Sequence, residues 1–67
     1  MTTDQKLAHI RWYIEQVGKS SNAESKIHWI SRGEGALGAW FADMTIGHGD
    51  YHALSDEFKE LTMGVLQ

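Results

Sequence analysis

With 67 residues, no cysteine and a net charge of −3, the chain has room for one domain, residues 1–67, and none for a disulfide framework. It has neither an apolar run long enough to span a membrane nor the patterned start of a secretory leader, which makes the cytoplasm its expected location. Residues 1–32 carry five basic and three acidic side chains and residues 33–67 one basic and six acidic, so neither half offers the basic stripe of a duplex-DNA reader.

Residues 2–17 read as an amphipathic helix. Thr2 and Gln5 stand at capping-box spacing, and Asp4 falls in the first turn, where the helix dipole favours negative charge. Leu7, Ile10, Ile14 and Val17 then recur at helical intervals with Tyr13 beside them. Gly18 is the expected terminator. A polar connection follows over residues 19–25, within which Ser21 and Glu24 repeat the capping-box spacing. The stretch from 26 to 46 supports two readings. Ala23, Ile27 and Ile30, then Leu37, Trp40, Phe41 and Met44, fall at helical intervals, and helix is the favoured reading. The alternative is a strand through Ile27–Ile30 that turns at residues 32–35 into a second strand, and Gly38 argues for it by weakening a helix by about 1 kcal/mol relative to alanine. Gly47-His48-Gly49 breaks the pattern. From Asp50, or from Ser55 as an alternative N-cap, Tyr51, Leu54, Phe58, Leu61 and Val65 form the stripe of a last helix, with Asp56, Lys59 and Glu60 opposite. The fold expected is all-α, a compact bundle of three or four short helices. An α+β arrangement, α-β-β-α with a central hairpin, is the alternative.

Gly33-Glu34-Gly35-Ala36-Leu37-Gly38 matches G-x-G-x-x-G, yet a chain this short cannot hold a doubly wound dinucleotide-binding sheet. Beyond a plain loop, the motif leaves room for a simpler anion site, with Arg32 and the amides of Gly33 and Gly35 gripping a phosphate. His48, Asp50 and His52, with Asp43 upstream, concentrate metal-capable groups, but their spacing follows no established ligand pattern, and no metal or other cofactor is expected. A cysteine nucleophile and a G-x-S-x-G elbow are both lacking, and Asp56, Glu57 and Glu60 read as a solvated face, so no catalytic residue is assigned.

The aromatics are the strongest functional signal. Trp12 lies off the Leu7/Ile10/Ile14 stripe, beside Ala8 and His9, and Trp29 lies off the Ala23/Ile27/Ile30 face. Such residues either anchor an interface or sit in a bundle that buries the first helix on two sides. The interface set is therefore Trp12, Arg11, His9 and Trp29. Burial and chain entropy nearly cancel in so small a domain, and self-association is the favoured further source of stability. The expected function is a small non-catalytic interaction module, a self-associating regulator or inhibitor that binds a larger protein. The alternative is a small oligomeric nucleotide- or phosphate-binding protein that uses the Arg32-Gly33-Glu34-Gly35 loop and tryptophan stacking.

Overall fold

The computed structural model describes residues 1–66. Three helices follow one another up, down and up: α1 (Thr3–Lys19), α2 (Ala23–Ala42) and α3 (His48–Leu66). α2 is central, and α1 and α3 each pack mainly against it. No strand occurs among the described residues, so the fold is all-α and the hairpin alternative is set aside. No helix among them is long and apolar enough to cross a membrane.

The capping box expected for α1 forms in full: the Gln5 amide donates to Thr2 Oγ1 at 3.1 Å and the Thr2 amide donates to Gln5 Oε1 at 2.8 Å. The far end differs from expectation. Gly18 remains helical, and Ser20 closes α1 in an extended conformation, its amide donating to the Val17 carbonyl at 3.2 Å and its hydroxyl to that of Gln16 at 2.8 Å. Two carbonyls are satisfied without a left-handed residue, so glycine is not needed there. Asn22 rather than Ser21 caps α2, accepting from the Ser25 amide at 2.8 Å.

α2 runs unbroken through Gly33, Gly35 and Gly38 because its inward stripe is Ile30, Gly33 and Leu37, all buried. A Cβ at Gly33 would stand 2.6 Å from Phe58 Cε1 and 3.1 Å from Tyr13 Cβ. The bare backbone is thus the seat for the fully buried Phe58 ring, and glycine lets three helices meet at one point. The buried core, Ile10, Val17, Ile30, Leu37, Ile46, Leu54 and Phe58, is aliphatic apart from that ring.

α2 ends in a Schellman motif. Met44 adopts φ 67°, its amide donates to the Phe41 carbonyl at 3.0 Å, and the Thr45 amide donates to that of Trp40 at 3.0 Å. The motif turns the chain so that Ile46 enters the core. Thr45 also donates through its hydroxyl and its amide to the Asp43 carboxylate. The hydroxyl bond, the largest effect, outweighs the opposing effect of desolvation and, with the lesser help of the amide bond and the charge of Lys6, holds that carboxyl below its ordinary value. α3 opens with the Tyr51 amide bonded to the Gly47 carbonyl at 3.0 Å and buries Leu54 and Phe58 along the expected stripe.

A candidate interface built from aromatic side chains

None of the three tryptophans belongs to the buried core. Trp12 is 43 % exposed, and Trp29 and Trp40 are half-buried. They come together because α1 and α2 run antiparallel and turn these positions to the same side of the bundle. His9 is the hub. Its ring stacks near-parallel on Trp12 (centroids 5.8 Å apart, 12°) and meets the edges of Tyr13 at 4.9 Å and Trp40 at 5.9 Å. Trp12 meets Trp29 edge-on at 5.5 Å, Trp29 meets His28 at 5.3 Å, and Lys6 Nζ lies 5.4 Å from the centre of the Trp40 ring. The result is one aromatic ridge across the two helices. Each ring limits the rotamers of the next, which lowers the entropy cost of presenting them to a partner.

Beside the ridge, α1 carries a shallow apolar depression of about 350 Å³ lined by Met1, Gln5, Ala8, His9 and Trp12. Gln5, Ala8, Trp12, Glu15 and Lys19 are all exposed and recur at alternating intervals of three and four along α1, with the exposed Met1 just ahead of the N-cap. They form a second stripe, facing away from the core.

Of the expected interface set, the structure joins Trp12, His9 and Trp29. Arg11 stands apart, since its guanidinium reaches Glu57 of α3 at 3.3 Å in a solvent-exposed ion pair. Trp40, Tyr13 and Lys6 belong to the cluster although sequence reasoning left them out. Trp40 and Tyr13 sat on helical stripes and so looked like core, and only the antiparallel pairing of α1 with α2 brings them beside His9.

The proposed phosphate cradle requires correction. Arg32, Gly33 and Gly35 lie in the middle of α2, where each amide is committed to the carbonyl four residues earlier and is turned away from any ligand. The physical reason is the Ile30–Gly33–Leu37 stripe, which draws the glycine segment into the core as helix. No loop exists there to grip an anion.

His48, Asp50 and His52 are exposed at the start of α3, where the two imidazole centroids lie 6.2 Å apart. Asp50 does not complete a metal set with them, and no group of three His, Asp or Glu side chains suited to a metal occurs among the described residues. The ring of His48 rests edge-on against Phe41 at 5.0 Å, and Phe41 in turn stacks on Tyr51 at 4.0 Å, which ties the end of α2 to the start of α3. Comparison with family models, with curated proteins and with solved structures finds no match to this chain.

Proposed function

We propose that this protein is a small non-catalytic interaction module that self-associates through the outer face of α1. The observation that carries the reading is the placement of Trp12, a half-exposed indole locked in an aromatic cluster beside an apolar depression on its own helix. A knob and a hole on one surface are what a two-fold symmetric contact requires, since each copy must offer both. In an antiparallel pairing of two α1 helices, Trp12 of each copy fills the space over the small Ala8 of the other. Gln5 then lies across from Glu15, and Asp4 within reach of Lys19. One helix face buries less than the ~1,200 Å² typical of a stable complex, so the pairing is weak and exchangeable.

In this reading the protein acts by contact, as a regulator or inhibitor whose α1 face is released from its twin to meet a larger protein. A cysteine-free chain suits the reducing cytoplasm as the place for that work. Sedimentation equilibrium tests the proposal. The wild-type chain should move from monomer to dimer mass at tens to hundreds of micromolar, and Ala8→Glu, which sets a charge in the hole, should abolish the shift while leaving the helical circular dichroism intact. A wild-type chain that stays monomeric at millimolar concentration overturns it, as does an Ala8→Glu variant that still dimerises.

A further inference from the structure

A second feature lies at the opposite end of α2 from its N-cap. Met44 occupies a left-handed position, φ 67°, where glycine is the favoured residue, and its side chain is 90 % exposed. The Schellman turn that ends α2 sets that conformation, and it leaves the thioether at the surface where α3 begins. Met44 and His48 border the same depression of about 240 Å³, together with Phe41, Ile46 and Gly47. His52 lies one helical turn beyond His48, outside that depression, with the two ring centroids 6.2 Å apart. Residues four apart on a helix place both imidazoles on one side, the spacing by which two histidines clasp a single metal ion.

We infer that Met44, His48 and His52 form a surface site for monovalent copper. The donor chemistry selects the ion. A thioether and two neutral imidazoles are soft to borderline ligands without charge, which suits Cu(I) and serves Mg²⁺ or Ca²⁺ poorly. The start of α3 presents the positive end of the helix dipole, which opposes a divalent cation more than a monovalent one. Asp50 in the first turn of α3 offsets part of that field. Cu(I) also accepts two or three ligands, so the site needs no fourth donor from the chain.

The test uses the full chain without a histidine tag, under anaerobic conditions, titrated against Cu(I) held by bicinchoninate. The expected result is withdrawal of one Cu(I) per chain. His48→Gln, His52→Gln and Met44→Leu should each weaken binding by roughly ten- to a hundredfold with unchanged helical circular dichroism. Met44→Leu keeps the bulk and the backbone demand and removes only the sulfur. As a check independent of folding, the Met44 methyl resonance should shift on Cu(I) addition while those of Met1 and Met63 stay in place. Failure to draw Cu(I) from the chelator overturns the inference. So does a Met44→Leu variant that binds like the wild type, which leaves a two-histidine clip only, and so does a methyl shift confined to Met1 or Met63.

Discussion

Met44 holds φ at 67° because the Schellman motif needs a left-handed residue directly after the C-cap of α2, and a side chain there meets the carbonyl oxygen that glycine avoids. The cost of such a conformation is on the order of 1–2 kcal/mol, part of which the higher chain entropy of glycine returns. Met44→Gly should therefore raise the free energy of unfolding by about 1 kcal/mol, read as a higher urea midpoint with an unchanged slope. Because the side chain is exposed, no lost packing confuses the result. A destabilised Met44→Gly variant would mean that the methionine makes contacts that strain alone does not predict. Nothing in the sequence announces this position, since methionine is not a turn residue and Met44 continues the apolar rhythm of Leu37, Trp40 and Phe41. The rhythm is real, but the helix ends before it does.

Helices α1 and α3 were legible from their apolar stripes, and Thr2 from its partner three residues on, because large side chains at helical spacing leave little else for the chain to do. α2 was ambiguous for a specific reason. Its central stripe position is a glycine, which an apolar count passes over, and with Gly35 two residues on it looked like a turn at residues 32–35. Packing resolves the matter: Gly33 belongs to the stripe through the space it vacates, whereas Gly35 and Gly38 have no neighbour within 4 Å of a built Cβ. The same substitution two residues apart should consequently act with opposite sign. Gly35→Ala should stabilise the protein by up to about 1 kcal/mol through helix propensity alone. Gly33→Ala should destabilise it by about 1–3 kcal/mol, because Phe58, with no exposed surface at all, has no room to retreat. Thermal or urea unfolding of the pair checks both, and a Gly33→Ala variant more stable than wild type would show that the Phe58 seat is not tight. The phosphate-loop expectation failed through the same glycines, for a motif that means a backbone cradle between strand and helix means close helix packing when the preceding residues are themselves helical.

The accessible surface of the whole chain is 4440 Å², against about 4,300 Å² for a folded monomer of this mass. Three helices thus hide as much of this chain as lone domains usually hide, and the stability motive for self-association is weaker than its length suggested. The sequence placed Trp12 outward, as it stands, but it also placed Ile27 on the buried face of α2, where Ile27 is 46 % exposed and Trp29 packs against the core instead. Trp12 is off-stripe on α1 and stands outside the core, and the functional reading rests on that placement rather than on any shortage of burial. Folding and assembly should accordingly be separable. If the α1 faces pair weakly, the linkage between dimerisation and unfolding is negligible below the dissociation constant. The thermal midpoint should then stay constant between about 2 and about 20 µM protein, rising only at concentrations where sedimentation shows dimer. A midpoint that climbs steadily across the dilute range would reveal a chain that folds only as it assembles. The ridge of Trp12, His9 and Trp29 would then be the buried core of an obligate oligomer, unable to exchange its twin for another partner.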